Sequence, residues 1–581
     1  MRSGSLDYLL KYQQWLENEY FDEETRNELK NIKDDIKEIE ERFYKDLEFG
    51  TGGLRGIIGA GTNRVNNYTI RRATQGFADF IKSENPGKKM SIAIAYDPRN
   101  KSQEFAEGAG LVMAANGIKA YVFDELRPTP ELSFAVRYLG CDGGIVITAS
   151  HNPPEYNGYK VYGNDGGQVP YPKDEEIIDK VNAIKDYSDV KTISMEEAKK
   201  KNLYETIGKQ VDDAYIKSLK ETCINLDIIK KMAKDIKLVY TPLCGAGNKL
   251  VRRVLEEIGV ENVFVVKEQE FSDGNFPTIG YPNPEDPKVF TLAIELAKEI
   301  DADVIVGTDP DADRLGVVVK NKDGEYVPFT GNMTGALLAE YILSQKKEKG
   351  TLATNSAIVK TIVTTQMIKP IAESYESEIF EVLTGFKYIG EKIKEFELSG
   401  SNTYVFGMEE SYGCLAGTYA RDKDAVAATM MIAEVAAFYK AKGRTLYDGL
   451  MEIYEKYGYY SEGVTSITLK GIEGTKKIQT IMNNFRKNPP DKIDGLNVLL
   501  EKDYTKKEFI NTETKEVILN NLPSSNVLHY TLENDSWVCI RPSGTEPKIK
   551  VYYGVKGISI EDGETKKARI AKCLDELIDN M

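Results

Sequence analysis

Three successive stretches of this chain each read strand, helix, strand, helix, strand, and that repetition restricts the fold more than any other feature. In the first, the apolar run Ser91–Tyr96 leads into a helical pattern from Ser102 to Ala115, a strand at Ala120–Phe123, a helix from Pro130 to Leu139 and a strand at Gly144–Ile147. The second runs Lys237–Tyr240, Asn248 to Ile258, Val263–Val266, Val289 to Ile300 and Asp303–Val306. The third runs Thr351–Thr354, Ile358 to Tyr375, Ile379–Val382, Phe386 to Phe396 and Thr403–Phe406. Such alternation calls for mixed sheets layered between helices, the α/β class. The last strand of each stretch runs directly into a polar loop: TASHNP at 148–153, GTDPDADR at 307–314 and GMEESYG at 407–413. Ligands bind beyond the carboxyl ends of strands in open α/β sheets, so three equivalent loops predict one composite site in a central cleft.

At 581 residues and 65.1 kDa the chain exceeds what one core supports. The expected division is a helical arm (1–48), three α/β domains (49–205, 206–325 and 326–457) and a smaller C-terminal α+β domain (458–581). In the arm, Ile36, Ile39 and Phe43 share one face among charged residues and are expected to pack on the first domain. The formal net charge of -15 repels nucleic acid and anionic membrane, so an anionic ligand needs a local basic pocket, which favours a small anion. The six scattered cysteines suggest neither a disulfide framework nor a zinc site. No apolar leader and no uninterrupted membrane-length run is visible, so a cytoplasmic protein is expected.

In the first loop, Ser150 follows a buried strand, with His151 beside it and Lys160 ten positions on. It is a candidate nucleophile with nearby proton-transfer groups, or a surface turn built of turn-forming residues. In the second loop Asp309, Asp311 and Asp313 alternate, so in an extended segment their carboxylates project to one side as hard ligands for Mg²⁺. A calcium loop is disfavoured because its twelfth position holds Lys320 rather than Glu. In the third, Glu409 and Ser411 carry acceptors suited to sugar hydroxyls, with Arg421 and Lys423 close behind, although Asp422 and Asp424 also suit a helix start. Arg541-Pro542-Ser543-Gly544-Thr545-Glu546-Pro547-Lys548 gathers cations and hydroxyls as a phosphate-gripping loop would. Thr51-Gly52-Gly53-Leu54-Arg55-Gly56 reads as a glycine-rich turn whose Arg55 could stabilise a transferring phosphoryl group.

From about Phe49 to Lys556 these motifs, in this order, resemble the α-D-phosphohexomutase superfamily, most closely its branch of long bacterial phosphoglucomutases and phosphoglucomutase/phosphopentomutases. The resemblance implies that Ser150 is carried as phosphoserine, that Asp309, Asp311 and Asp313 bind Mg²⁺ with a phosphoserine oxygen, and that the C-terminal loop holds the non-reacting phosphate. Arg55, His151, Lys160 and Lys423 are implied as catalytic; Arg314, Thr384, Gly385, Lys387, Glu409, Ser411, Arg421, Arg541, Ser543, Gly544, Thr545 and Lys548 as substrate-binding. Some bacterial relatives have a His where this chain has Gly413, which leaves the second proton-transfer role open; the resemblance to animal phosphoglucomutases at 420–424 points to Lys423 for it. The implied reaction interconverts α-D-glucose 1-phosphate and glucose 6-phosphate through glucose 1,6-bisphosphate, with pentose or mannose phosphates as alternatives and the C-terminal domain hinging near Tyr457. A metal-dependent sugar phosphatase and a non-catalytic sugar-phosphate sensor are the competing classes. Two-metal phosphatases usually need several His ligands, and the chain has two His in all.

Overall fold

The protein's structure is a computed structural model that describes residues 4–50, 53–469, 471–543 and 548–579, without the side chains of 4–6, 471–473 and 475. Thr51, Gly52, Gly544, Thr545, Glu546 and Pro547 therefore lie outside the described residues.

Three sheets share one plan. In the first, the strands Gly143–Ile147, Met90–Tyr96, Ile118–Phe123 and Tyr204–Ile207 lie parallel in that order. After Ile147 the chain turns through the polar loop and returns antiparallel as Tyr156–Gly163, on whose far edge Gly53–Ile57 pairs. The second sheet repeats this: Val304–Thr308, Lys237–Thr241 and Asn262–Val265 are parallel, and the chain returns as Leu315–Lys320 and then Tyr326–Phe329. In the third, Thr403–Glu409, Ser356–Thr361 and Glu378–Val382 are parallel, and Gly413–Ala416 is the return. Each polar loop is thus the tip of a hairpin whose two arms are both buried in a sheet, so its side chains start from rigid anchors. The fourth sheet is antiparallel and has eight strands, including Tyr459–Thr468, Trp537–Pro542 and Lys548–Gly557.

Several expectations shift. The third repeat begins with the strand Ser356–Thr361, not 351–354, and its first helix covers only Ile368–Ser374. The run Ala357-Ile-Val-Lys-Thr-Ile-Val-Thr-Thr365 read as a helix because a strand buried on both faces loses its alternation. Its β-branched residues pay for helix in lost χ1 freedom, and every residue from Ser356 to Thr361 is buried. The first sheet runs through Ile207 and the second through Phe329, past the domain limits expected at 205 and 325. Arg55 sits on an edge strand rather than in a turn, paired with Gly158. Glycine is required there, since a Cβ at Gly158 would meet Thr148 O at 2.6 Å. In the arm, Ile39 and Phe43 are buried against Trp15, Phe21 and Tyr68, but Ile36 is exposed because it opens the helix Ile36–Phe43 outside that contact.

One apolar cluster runs through all three repeats, from Ala93, Val146 and Tyr162 through Leu238, Val306 and Val317 to Ile358, Phe406 and Met408. The helix Ala425–Lys440 packs into it on nearly every face, and its buried Glu434 is satisfied by the Ile224 and Asn225 amides and the Tyr341 hydroxyl. The fourth domain has its own core around Phe485, Tyr530, Val538 and Leu574, and a separate seam joins its Tyr504, Trp537 and Tyr552 to Ile362, Val363 and Leu383 of the third. The six cysteines are unpaired. Among the described residues no helix is long and apolar enough to cross a membrane.

Candidate active site

Ser150 occupies the tip of the first hairpin with φ +53°, a left-handed conformation costly for a residue with a Cβ. Its side chain is turned toward the second loop: Ser150 Oγ donates to Asp309 Oδ2 at 3.0 Å and lies 3.2 Å from His151 Nδ1. Burial, with Arg314 and Arg55 adding to it, holds the His151 imidazole well below its usual range, so it is neutral. Arg55 Nη1 donates to Asn152 Oδ1 of the same loop at 3.3 Å. The pleat of the return strand puts Tyr159 and Val161 into one core and aims Lys160 and Tyr162 at the opposite face.

The second loop supplies the carboxylates. It is not extended as the alternating aspartates suggested. It turns at Ala312, φ +51°, and Asp309 Oδ1 accepts the amides of Asp313 and Arg314 at 3.1 and 3.0 Å. The turn nevertheless gathers one oxygen from each of Asp309, Asp311 and Asp313 within 4.8 Å, and all three residues are buried. Lys160 Nζ reaches Asp311 Oδ2 at 2.9 Å and Asp313 Oδ2 at 3.4 Å; Thr129 Oγ1 donates to Asp311 Oδ2 at 2.8 Å. Burial opposes charge on Asp311, but the Lys160 ammonium wins and its carboxyl is held below the usual range. Asp309 has no lysine on it, and burial together with Asp311 and Asp313 raises it well above that range. Asp311 Oδ1 and Asp313 Oδ1 are buried without a hydrogen-bond partner. Three hard oxygens, two of them with open lone pairs, fit a divalent cation.

The third loop faces the same point. Lys423 Nζ lies 2.9 Å from Asp313 Oδ2 and 3.9 Å from Glu409 Oε1, and Ser411 Oγ donates to Glu409 Oε1 at 3.3 Å. Burial lifts Glu409 to about 7 against the pull of Lys423. A Cβ at Gly413 would come within 2.3 Å of Lys423 Cδ, so the absence of a side chain at 413 is what lets this lysine enter. Arg421 is buried: its Nη1 donates to the Thr418 and Ala420 carbonyls and its Nη2 pairs with Glu397, while its Nε has no hydrogen-bond partner among the described residues.

The remaining expected residues lie on the second, third and fourth domains. Arg314 Nη1 pairs with Glu285 at 2.6 Å. Thr384 Oγ1 is buried without a partner, beside Gly385, which precedes the helix Phe386–Ser399 and has φ +121°. Lys387 reaches back to Asp174 of the first domain at 3.4 Å. On the fourth domain, Arg541 has a buried Nε without a hydrogen-bond partner, and Ser543 N donates to Lys548 O at 2.7 Å. Sequence reading missed Lys550, which stands opposite Arg541 in the strand pair and loses basicity through burial, with Arg541 adding repulsion. It also missed Asp97 and Arg99, Thr129, Glu285 and the buried Tyr162–Asp422 hydrogen bond of 2.8 Å. Asp97-Pro98-Arg99 follows a strand's carboxyl end, and that position was the available signal.

Family models agree with this architecture. Those for phosphoglucomutase/phosphomannomutase alpha/beta/alpha domains I, II and III match residues 46–188, 213–324 and 330–457. A phosphoglucomutase of Staphylococcus haemolyticus is 38% identical over 517 residues, 88% of this chain and 91% of that one. A phosphoglucomutase of Staphylococcus aureus strain MSSA476 is 37% identical over 537 residues, 92% of this chain and 94% of that one. Among solved structures, pp63/parafusin, a phosphoglucomutase of Paramecium in its open form, superposes with a TM-score of 0.67 at 18% identity, covering 92% of this chain and 95% of that one. A Burkholderia thailandensis phosphoglucomutase/phosphomannomutase family protein gives 0.63 at 19% identity, covering 91% and 97%. These two speak to the fold alone. With matching domain models over three units and relatives of this identity over nearly their whole length, the chain belongs to the phosphoglucomutase/phosphomannomutase family.

Proposed function

We propose that the protein is a phosphoglucomutase, interconverting α-D-glucose 1-phosphate and glucose 6-phosphate through a phosphoserine at Ser150 and glucose 1,6-bisphosphate. The observation that carries this reading is the approach of Ser150 Oγ to within 3.0 Å of Asp309 Oδ2, with Lys160 and Lys423 on the other two carboxylates. The Staphylococcus relatives named phosphoglucomutase support the choice of glucose.

Asp309, Asp311, Asp313 and an oxygen of phosphoserine would hold Mg²⁺, which when bound neutralises charge on the transferring phosphoryl group. The protein's own part is positioning, because loose phosphoryl-transfer transition states leave little else for it to do. In the first half-reaction the bond from phosphorus to Ser150 Oγ breaks as one forms to the free sugar hydroxyl. In the second, the opposite phosphate of the bisphosphate passes back to Ser150 Oγ. Arg55 and Arg314 flank the phosphoryl group. Lys160, on the serine side, and Lys423, on the sugar side, move the protons exchanged between the two oxygens. Glu409, Ser411, Thr384, Gly385 and Lys387 orient the sugar, while Arg541, Ser543, Lys548 and the intervening Gly544 and Thr545 hold the phosphate that is not reacting. Reorienting the bisphosphate without losing it requires the fourth domain to open and close on its seam.

The deciding experiment assays the protein with glucose, mannose and ribose 1-phosphates, Mg²⁺ and a trace of glucose 1,6-bisphosphate. Highest specific activity with the glucose ester supports the proposal; a higher rate with mannose or ribose moves the substrate. Phosphate released in step with ester consumption, with no isomer formed, refutes the mutase.

A further inference from the structure

Ser150 is held in a strained conformation, and the structure contains a dedicated device that holds it there. Arg99 and Asp97 follow the strand Met90–Tyr96 at its carboxyl end, directly beneath the serine loop. The Arg99 side chain has no solvent exposure, and one guanidinium donates to four carbonyls of the loop. Nη2 serves Ser150 O at 2.6 Å and Asn152 O; Nη1 serves Pro153 O at 2.8 Å and Tyr156 O at 3.0 Å. Asp97 holds the other side. Its Oδ2 accepts Thr148 Oγ1 at 2.7 Å, and that same hydroxyl oxygen accepts the Ser150 amide at 2.7 Å. Asp97 Oδ1 accepts the Arg99 amide at 3.0 Å and Ser102 Oγ at 2.8 Å. The second domain closes the arrangement, with the Phe276 ring 5.2 Å from the guanidinium carbon.

A buried guanidinium is costly unless each donor is used, and a loop of successive carbonyls pointing inward is costly unless each is satisfied. Here the two Nη groups and the four carbonyls satisfy each other, while Nε, which makes no hydrogen bond, is compensated by the Asp97 carboxylate 3.3 Å away, and this match works in one loop conformation only. Both backbone polar groups of Ser150 are tied down, its carbonyl by Arg99 and its amide through Thr148 to Asp97. Neither Arg99 nor Asp97 makes a hydrogen bond to Lys160, Asp309, Asp311, Asp313 or Lys423.

We propose that Asp97, Arg99 and Thr148 are positioning residues for Ser150: they fix the direction of its Oγ, so that the same oxygen can give up a phosphoryl group and receive it back without reorganisation. The inference rests on the reading of Ser150 as the phosphoryl carrier. A misplacement of about 1 Å at a reacting atom costs on the order of 10²-fold in rate, which sets the expected size.

The test uses the full-length enzyme with Thr148→Val and Thr148→Ser, and Arg99→Met with Arg99→Lys as a second pair. Each is incubated with glucose 1,6-bisphosphate, and the Ser150 peptide is examined for phosphate by mass spectrometry. Wild-type protein that takes up no phosphate there overturns the carrier reading itself. Given a phosphorylated wild type, Thr148→Val is expected to lose about 10²-fold in kcat with KM changed less than about threefold and thermal unfolding little altered, and Thr148→Ser to restore most of the rate. Wild-type kcat in Thr148→Val overturns the proposal, as does an equal loss in Thr148→Ser. Where Arg99→Met does not fold, Arg99→Lys and the Thr148 pair decide.

Discussion

Lys423 enters the site over Gly413, its Cδ filling a volume within 2.3 Å of where a Cβ at 413 would lie, and its Nζ ends 2.9 Å from Asp313. Burial disfavours the Lys423 charge, but Asp313, Asp422 and Glu409 outweigh it and raise its basicity. Lys423→Met is expected to lose about 10²–10⁴-fold in kcat, the range of a lost proton-transfer group. Gly413→Ala should lose activity too, by expelling a lysine that is still present. Steady-state kinetics of the two variants check this; full activity in Gly413→Ala refutes the packing argument.

Ser150→Ala removes the oxygen that would carry the phosphoryl group. A loss on the order of 10⁴–10⁶-fold in kcat is expected, as for other lost nucleophiles, with the Tm unchanged to within a few degrees. Residual mutase activity near the wild-type level rules out the covalent route.

Removing divalent cations should abolish turnover, and the three buried aspartates provide a readout that needs no activity. Mg²⁺ at a hundred times its Kd should stabilise the fold by about 2.7 kcal/mol, visible as a rise in Tm. Asp311→Asn should lose both that rise and the activity. A Tm that ignores Mg²⁺ in the wild-type protein argues against the site.

Glu409 is expected to set the acidic limb of the pH profile. Burial lifts its carboxyl to about 7, so the ionised form that accepts hydrogen bonds from sugar hydroxyls accumulates only as pH rises through that value. kcat/KM is therefore expected to climb between about pH 6 and 8, since the free enzyme's groups govern that parameter. Glu409→Gln should lower kcat/KM throughout and flatten the climb. The same inflection in the Gln variant assigns it to another group.

The expected motion of the fourth domain would have a built-in reporter. Of two tryptophans, Trp15 lies in the N-terminal arm and Trp537 in the seam against Ile362, Val363 and Leu383. Gly458, with φ +109°, separates the helix Leu446–Tyr457 from the strand Tyr459–Thr468, and the expected swing of the domain is about this point. In a Trp15→Phe background, saturating glucose 6-phosphate should shift Trp537 emission. The shift should vanish with Gly458→Pro, and fluorescence titration reads both.

The repeat and the three loops were legible because each is a local pattern: a run of buried strand residues followed abruptly by polar ones. Ser150, the aspartates, Glu409 and Lys423 could be found from that pattern and from their chemistry. What escaped depended on pairings between distant segments. Lys550 matters because the strand register sets it opposite Arg541, and Arg99 because four carbonyls some fifty residues away converge on it. The partners of Arg421 escaped for the same reason, as nothing nearby announces that Glu397 and two carbonyls pair with its guanidinium. The strand Ser356–Thr361 was lost to helix because burial on both faces erases the period that identifies a strand.

One apolar cluster threads the first three repeats beside the separate cluster each of them keeps, while the fourth domain has a core of its own. Heating should therefore release the molecule in two cooperative steps rather than four, and a protease that nicks the chain near Gly458 should leave a large resistant fragment still able to fold. A cut between any two of the repeats would instead open a common interior to water, so an enzyme assembled from three look-alike modules lives or dies as one.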